Sequence, residues 1–162
     1  MEIRCAHEAD RQQVVDLYRR SQLATGLPNP SFLPPEQLET QLYSRPAINR
    51  FVAIEANQII GHCVIEPPNP RHIPAWLGGL PANQSLPLLE IGGGFVEPSK
   101  MRSGIGSLLL AHSIEVVKAF PATPVSATWQ QNEHVKRMFK VHAGKEVGSQ
   151  VIEQGTVSLF VF

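Results

Sequence analysis

The sequence predicts a mixed α/β protein in which one sheet carries helices on both faces. Three observations support this class. Short apolar runs and helical patterns follow one another in the order β-α-α-β-β-β-α-β-α-β-β, which gives about seven strands in one layer. Hydrophobic residues make up 43% of the chain and charged residues 17%, a balance typical of a folded globular protein. The length of 162 residues suits one domain, residues 1–162, with a proper core.

The N-terminal part predicts a strand, a helix and a rigid connector. The strand is "MEIRCA", and the helix is "HEADRQQVVDLYRRSQLATG", residues 7–26. Val14, Leu17 and Tyr18 share one face of that helix. Four prolines follow within the nine residues 27–35, "LPNPSFLPP", and they exclude both a helix and a central strand there.

The next segment predicts a short helix, a hairpin and a long loop. Leu38 and Leu42 lie one helical turn apart, and Pro46 ends the helix. Two apolar runs in "RFVAIEANQIIGHCVIEPP" predict a hairpin that turns around residues 57–58, Asn-Gln, since asparagine tolerates a left-handed backbone. Residues 67–87 are rich in proline and glycine and show no periodicity, which predicts a long loop.

Strands and helices alternate over the C-terminal half. A strand with three consecutive glycines leads into the helix "GSLLLAHSIEVVKAF", which is apolar on most sides. The strand "TPVSATWQ" and the helix "NEHVKRMFKVHAG" follow. The last segment, "KEVGSQVIEQGTVSLFVF", predicts a hairpin with Gly155 near its turn. Its final residues, 160–162, fit either burial in the core or a contact in a homodimer.

Charge and cysteine content limit the possible partners and the compartment. Fourteen basic residues balance fourteen acidic ones, so nothing indicates the basic surface that nucleic-acid binding needs. No apolar run approaches the roughly 20 residues of a membrane span, and the charged N-terminus does not resemble a signal peptide. Cys5 and Cys63 form no disulfide framework, and neither they nor the six histidines show the spacing of metal ligands. We therefore expect a cytoplasmic protein that binds no nucleic acid, membrane or metal.

Residues 90–112, "EIGGGFVEPSKMRSGIGSLLLAH", are unusual because glycine interrupts both a strand and the entrance of a helix. The triplet 92–94 costs about 2 kcal/mol relative to alanine, since each glycine in regular structure costs roughly 0.5–1 kcal/mol. Gly104 and Gly106 precede a helix whose first four N–H groups lack intrahelical partners, an arrangement that binds phosphate. The alternative is that these two glycines simply make a tight turn from strand to helix.

The residues around these glycines occur in a specific order. Residues 95–98 are Phe-Val-Glu-Pro, residues 101–106 are Met-Arg-Ser-Gly-Ile-Gly, and residues 107–110 are Ser-Leu-Leu-Leu. This order resembles the cofactor-binding segment of the GNAT N-acetyltransferase superfamily, in which a hydrophobic-Val-x-Pro step leads into Arg/Gln-x-x-Gly-x-Gly/Ala and a helix. The order of elements is similar along essentially the full chain, including Gly61 on the third strand and Asn132 at the opening of a helix.

The resemblance implies a fold and a function. The implied fold is the GNAT-like acyl-CoA N-acyltransferase fold, a mixed, mostly antiparallel central sheet of about seven strands with helices on both faces. The implied function is an N-acetyltransferase that moves an acetyl group from acetyl-CoA to a primary amine of a small molecule or peptide. In this reaction the amine attacks the thioester directly, inside a ternary complex.

The resemblance also implies which residues hold coenzyme A. Main-chain groups of Phe95 and Val96 would pair with the pantetheine arm, amides from Arg102 to Ser107 would hold the pyrophosphate, and Asn132 would touch the arm across a splay between the fourth and fifth strands. The implied cofactor-binding residues are Phe95, Val96, Met101, Arg102, Ser103, Gly104, Ile105, Gly106, Ser107, Asn132 and Phe139.

The glycine triplet has two interpretations. The fourth strand of the implied fold carries a bulge next to the thioester, and glycine is favoured at bulges and where a ligand approaches the backbone. The absence of side chains would then leave space for the acetyl group and the acceptor. The alternative is a flexible loop.

Glu90 is the predicted general base. It lies fourteen residues before Gly104, the spacing at which histone-acetylating members of the superfamily carry a base glutamate, and its neighbours are apolar. The alternative is an outward-facing or edge glutamate in a strand. The acid is less clear, because Phe139 stands where many members have a tyrosine.

Other residues have two interpretations each. Met101 replaces the usual Arg or Gln, so Lys100 and Arg102 are either phosphate contacts or solvated surface charges. His62 and Cys63 are adjacent on a strand and point to opposite faces, so they cannot act as a dyad, and Cys63 is best explained as a core residue.

The remaining candidates lie in less patterned segments. His72 and Trp76 either cover an acceptor or anchor the long loop, and the second interpretation is favoured. His142 is best explained as a surface or packing residue.

Three functions remain open on the sequence. The first is the N-acetyltransferase. The second is a non-catalytic acyl-CoA-binding sensor or regulatory protein, which Phe139 and Met101 keep open. The third is an unrelated α/β domain whose glycines merely make turns.

Overall fold

The computed structural model describes residues 1–25, 43, 46–82, 85–152 and 155–162. The predicted connector at residues 27–35 and the short helix with Leu38 and Leu42 lie outside these ranges. The strands and helices that the structure describes are β1 Glu2–Cys5, α1 Arg11–Thr25, β2 Asn49–Glu55, β3 Gln58–Glu66, α2 Ile73–Gly79, β4 Leu88–Val96, α3 Ile105–Ala119, β5 Thr123–Trp129, α4 Glu133–Val141, β6 Lys145–Ile152 and β7 Gly155–Val161.

The seven strands form one sheet in the order β1-β2-β3-β4-β5-β7-β6. Neighbouring strands are antiparallel, except that β4 and β5 run parallel in the middle of the sheet. Helix α3 connects these two parallel strands as a crossover. The predicted mixed, mostly antiparallel sheet of about seven strands is therefore confirmed.

Two helices pack on each face of the sheet. One face carries α1, where Leu17 and Tyr18 pack against Phe95, and α2, where Trp76 packs against Leu88. The other face carries α3 and α4, whose apolar side chains share a core with Ile91 and other strand residues. The alternation of side chains along each strand separates the apolar residues of the two faces.

Close packing explains Gly61. A Cβ at this position would lie 2.8 Å from side-chain atoms of both Ile105 and Leu109. Glycine on β3 therefore lets the first turns of α3 lie directly on the sheet, which fixes the helix entrance beside β4.

Two predicted boundaries are wrong. The turn between β2 and β3 lies at Ala56-Asn57 rather than at residues 57–58, because Ala56 and Asn57 are the pair with positive φ, 48° and 63°. The segment 67–87, predicted as a loop, contains α2. Pro74 lies in the first turn of that helix, where proline loses no hydrogen bond, so it starts the helix instead of breaking it.

Phe160 is fully buried and packs edge-to-face on Phe139 within this chain. The core therefore accounts for the apolar C-terminus, and a homodimer stays a prediction. Among the helices that the structure describes, none combines the length and the apolar character needed to cross a bilayer.

Candidate active site

β4 and β5 separate partway along their length. They pair from Leu88 opposite Thr123 to Glu90 opposite Val125. The hydroxyl of Ser126 then donates a hydrogen bond of 2.7 Å to the carbonyl of Ile91. Beyond this point the described part of β4 is paired with β3 alone. The separation opens a gap in the middle of the sheet.

A cavity of about 890 Å³ occupies this gap and reaches the start of α3 and one side of α4. Cofactor sites typically measure roughly 300–1,000 Å³. Ten of the eleven predicted cofactor-binding residues line it, namely Phe95, Val96, Met101, Arg102, Gly104, Ile105, Gly106, Ser107, Asn132 and Phe139. Ser103 is not in the described lining, because its N–H and its hydroxyl both donate to the carbonyl of Lys100, at 3.3 and 2.5 Å.

The glycine triplet forms a bulge in β4. The ladder with β3 pairs His62 with Phe95 and Val64 with Gly92, so one residue of β3 lies opposite two residues of β4, Gly93 and Gly94. Gly93 has a φ of 56°, which L residues with side chains rarely adopt. The expected bulge is therefore confirmed, and the alternative of a flexible loop is wrong, because the triplet lies within a continuous strand. All three glycines line the cavity.

The entrance of α3 presents free main-chain amides to the cavity. Gly104 has a φ of 90°, and its carbonyl accepts the hydrogen bond from Leu108 N–H at 3.0 Å. The amides of Ile105, Gly106 and Ser107 precede this bond and have no intrahelical partner. The positive end of the helix dipole lies at the same place. The arrangement favours a bound anion.

Polar side chains surround this entrance. The hydroxyl of Ser107 lies 2.6 Å from Nε2 of His142, so His142 contacts the helix entrance instead of lying free on the surface. Lys100 and Arg102 both line the cavity. Lys100 also forms an ion pair with Glu55, whereas the Arg102 side chain is exposed.

The direction of the main-chain groups differs between Phe95 and Val96. Glu97 N–H donates to the carbonyl of Ile60 on β3 at 2.9 Å. Main-chain groups alternate in direction along a strand, so those of Phe95 also face β3, and those of Val96 face the gap. Of the two residues predicted to pair with a pantetheine arm, Val96 is the one whose main chain is available.

Asn132 and Phe139 lie on the far wall of the cavity. The side chain of Asn132 caps α4 by accepting the N–H of Val135 at 3.3 Å. Phe139 is buried between Phe160 and Phe162, with ring centroids 5.0 and 5.4 Å away. The ring supplies apolar contact and no proton.

Glu90 is buried on the part of β4 that still pairs with β5, before the gap, and is not in the described lining of the cavity. Its carboxylate accepts the main-chain N–H of Asn69 at 2.8 Å. It lies opposite Glu66 on β3, and it shares a face of β4 with Gly92, which does line the cavity. Its role as a general base stays a prediction.

The polar residues on the α1 side of the cavity were not predicted from the sequence. Tyr18, Ser21 and Gln22 line it, and Gln22 donates to the hydroxyl of Tyr18 at 2.6 Å. His62 also lines it and is fully buried, and burial lowers its pKa to about 4. The sequence signal that could have identified His62 is a polar residue in the middle of an apolar strand.

The structure settles two other interpretations. Burial raises the pKa of the Cys63 thiol to about 12, and its sulfur lies 3.0 Å from the hydroxyl of Ser113, so Cys63 is a buried core residue as predicted. Trp76 is fully buried and contacts His72 edge-to-face at 5.2 Å. The described lining of the cavity includes neither Trp76 nor His72, so both residues anchor their segment. Among the described residues, no three potential ligands cluster as a metal site.

Known proteins are similar to this chain in family and in fold. The model of the acetyltransferase (GNAT) family matches residues 11–144. No curated protein sequence is significantly similar to the chain.

Solved structures match over nearly the whole chain. A ribosomal-protein-alanine N-acetyltransferase from Brucella melitensis is 19% identical, with 100% of this chain and 99% of that chain covered and a TM-score of 0.73. Arabidopsis thaliana NAA60, solved in complex with acetyl-CoA, is 14% identical, with 99% and 97% covered and a TM-score of 0.74. The protein yncA from Salmonella typhimurium, solved with acetyl-CoA, is 15% identical, with 100% and 92% covered and a TM-score of 0.72. At these identities the likeness shows the fold.

Proposed function

Because this chain belongs to the acetyltransferase (GNAT) family, we propose that it transfers an acetyl group from acetyl-CoA to a primary amine of a small molecule or peptide. The amine attacks the thioester directly while both substrates are bound. One observation carries the proposal. The same cavity is lined by the bulge of β4, by the free amides of α3 and by the far wall on α4.

The donor half of the cavity fits coenzyme A. The amides of Ile105, Gly106 and Ser107 offer three N–H donors to a diphosphate at the positive end of a helix. Arg102 and Lys100 add positive charge to this end. The N–H and C=O of Val96 face the gap and would pair with the amide groups of the pantetheine arm, as a neighbouring strand would.

The bulge would place the reacting carbonyl. Acetyl-CoA supplies the acetyl group as a thioester, which is already activated towards an amine. A main-chain N–H of the bulged strand that faces the gap would stabilise the negative charge that develops on the thioester oxygen. Losing one such donor typically lowers the rate by about 10²–10³-fold.

Glu90 would take the proton of the attacking amine. The carboxylate is buried on the same face of β4 as Gly92, a residue that lines the cavity. A general base acts either in direct contact or through one water. As the new C–N bond forms, the C–S bond breaks, the electron pair goes to sulfur, and the amine proton goes to Glu90.

The leaving group would need no side-chain acid. Phe139 donates no proton, and its ring is fixed between Phe160 and Phe162. A thiol with an ordinary pKa of about 8.5 leaves tolerably as a thiolate near neutral pH. We therefore propose that the sulfur departs without protonation by residue 139.

A second function is favoured by Phe139 and Met101. A sensor or regulator would use the same cavity to bind acyl-CoA without transferring the acyl group. It shares every donor contact described above, so binding alone does not separate the two functions.

Thiol release separates them. The protein is incubated with acetyl-CoA and a panel of primary amines (a polyamine, an aminoglycoside, a lysine peptide and a peptide with a free α-amino group), and free coenzyme A is followed with a thiol reagent. Release that depends on one amine, with the acetylated amine seen by mass spectrometry, supports the transferase. Tight acetyl-CoA binding without amine-dependent release supports the sensor. Neither binding nor release contradicts both.

A further inference from the structure

His62 is a fully buried polar residue on β3 that the reaction described above does not use. Its Nδ1 lies 2.9 Å from the carbonyl oxygen of Gly93. A carbonyl oxygen can only accept, so Nδ1 must carry the hydrogen. The imidazole is also stacked on Phe95, with ring centroids 4.6 Å apart and planes 22° apart.

These two contacts span the bulge of β4. His62 lies opposite Phe95 in the ladder, and its ring reaches back to Gly93, so the side chain bridges the two residues that flank Gly94. A bulge interrupts the regular ladder and leaves an extra residue whose main-chain groups need another partner. Nδ1 of His62 supplies that partner for Gly93.

The chemistry of the ring favours this single role. Burial lowers the pKa of His62 to about 4, so the ring is neutral near pH 7. Within the described part of the chain, its other nitrogen, Nε2, is buried without a hydrogen-bond partner. A phenylalanine would stack on Phe95 without burying an unpaired nitrogen, so stacking alone does not explain a histidine. The hydrogen bond to Gly93 does.

We propose that His62 is a positioning residue that holds the bulge of β4, and with it the main-chain groups after Gly93, in the geometry that acetyl transfer needs. The inference rests on the proposed function, because it concerns the strand along which the thioester would lie. In this role His62 does not contact the substrate. The residue acts through Gly93 and Phe95.

Two variants separate the hydrogen bond from the ring. His62→Phe keeps the aromatic ring and loses the Nδ1 donor. His62→Asn loses the ring, but its amide nitrogen takes approximately the place of Nδ1. Kinetics with acetyl-CoA and the best amine of the panel give kcat and the KM for acetyl-CoA, and thermal unfolding gives the stability of each variant.

We expect kcat to fall when the hydrogen bond to Gly93 is lost and to recover when a side chain that can donate it is present. His62→Phe should lower kcat by about 10- to 100-fold, the size expected for a small misplacement of reacting groups. Its KM for acetyl-CoA should stay within about twofold, because the α3 amides that would bind the diphosphate are unchanged. His62→Asn should recover most of kcat even if its melting temperature is lower. An unchanged kcat in the Phe variant, or a kcat that follows melting temperature in both variants, overturns the proposal.

A measurement on the unaltered protein gives a second test. Nitrogen-15 chemical shifts of the His62 ring report which nitrogen is protonated, and exchange of the Phe95 amide, which faces β3, reports the order of the strand after the bulge. We expect the neutral Nδ1–H form and slow exchange of the Phe95 amide. The Nε2–H form contradicts the proposal. If the unaltered protein shows no amine-dependent thiol release, the proposed function fails while this spectroscopic result still decides whether His62 holds the bulge.

Discussion

The two halves of β4 pair with different strands. Leu88 to Glu90 pair with β5, only Glu90 of the three also pairs with β3, and all three carry full-sized side chains. Residues 92–96 pair with β3 alone, begin with three glycines and bulge at Gly93. The first half joins the two parts of the sheet, and the second half gives main-chain groups to a cavity.

The difference shows how one strand can serve both stability and binding. The ladder with β5 fixes the first half, and the ladder with β3 from Glu90 onward sets the position of the second half, although its other edge is unpaired. Hydrogen bonds from the β3 edge and from His62 then hold the bulge. The three glycines lower stability by about 2 kcal/mol, and they lie in the half of β4 whose main chain must be accessible.

The largest expected effect is on Gly93. Gly93→Val forces a side chain into a φ of 56° and places a Cβ 3.0 Å from a methyl group of Val64. The left-handed backbone alone costs about 1–2 kcal/mol for a residue with a side chain. We expect a loss of at least about 2 kcal/mol of stability and of about 100-fold or more in kcat/KM, measured by denaturant unfolding and thiol release.

Gly94 and Gly148 provide matched controls for this change. Among the described residues, no atom lies within 4 Å of a Cβ at either position. Gly94 lines the cavity and Gly148 lies on the edge strand β6, so Gly94→Val should lower activity without loss of stability, and Gly148→Val should change neither. Full activity of Gly94→Val would falsify the view that the acceptor and acetyl group use this space.

A second prediction concerns pH and the bulge. Burial, opposed by the hydrogen bond to Gly93 and aided by the charge of Arg50, lowers the pKa of His62 from 6.5 to about 4. Between these pH values the unfolded chain binds a proton that the folded chain does not, so stability falls as pH is lowered from 6.5 to 4. Above pH 6.5 this group has no effect on stability. The loss is about 1.4 kcal/mol per pH unit, or about 3 kcal/mol across the window.

Denaturant unfolding at several pH values measures this contribution of His62 to the free energy of unfolding. His62→Asn lacks it, so the stability difference between the two proteins should change by about 3 kcal/mol over the window, while other titrating groups act on both equally. Parallel stability curves for the two proteins would contradict the assignment of a buried, neutral His62.

The third prediction tests the first half of β4. Glu90→Gln keeps an oxygen that accepts the N–H of Asn69, so the fold should be retained. Loss of a general base should lower kcat/KM by about 100-fold and remove the fall of activity on the acidic side of the pH profile. The control is Glu66→Gln, which changes the carboxylate opposite Glu90. Equal pH profiles for Glu90→Gln and the unaltered protein would assign Glu90 to structure alone.

The smallest expected effect lies where the two halves meet. Ser126→Ala removes the hydroxyl that donates to the carbonyl of Ile91 at the start of the gap. A buried hydrogen bond of this kind contributes about 1 kcal/mol, and we expect a loss of that size in unfolding experiments. Weaker acetyl-CoA binding should accompany it, because the start of the gap is less fixed. No change in either quantity would show that this contact does not set the separation of the strands.

The sequence predicted the donor half of the site better than the rest because main-chain chemistry leaves clear signs. Gly93 and Gly104 have positive φ values, and Gly61 has no room for a Cβ. At such positions glycine is close to obligatory, so the pattern of glycines maps the backbone of the site. Most of the strands and helices follow from apolar periodicity for a similar reason.

The polar side of the cavity could not be predicted in the same way. Strand alternation says that His62 and Cys63 face opposite sides, but it does not say that a bulge brings the carbonyl of Gly93 to His62. Helix α2 was missed because a proline and two glycines in seven residues indicate a loop, whereas Pro74 lies in the first turn and Trp76 anchors the helix in the core. Such contacts join residues far apart in the chain, and no local pattern records them.

The most direct test of this account is an NMR titration of the protein with coenzyme A. If the second half of β4 and the entrance of α3 form one donor site, the largest amide shifts should fall at Gly93 to Val96 and at Ile105 to Ser107, with smaller shifts along α4. Leu88 and Leu89, in the half that pairs with β5, should shift little. No binding, or shifts centred away from the gap between β4 and β5, would contradict the central claim.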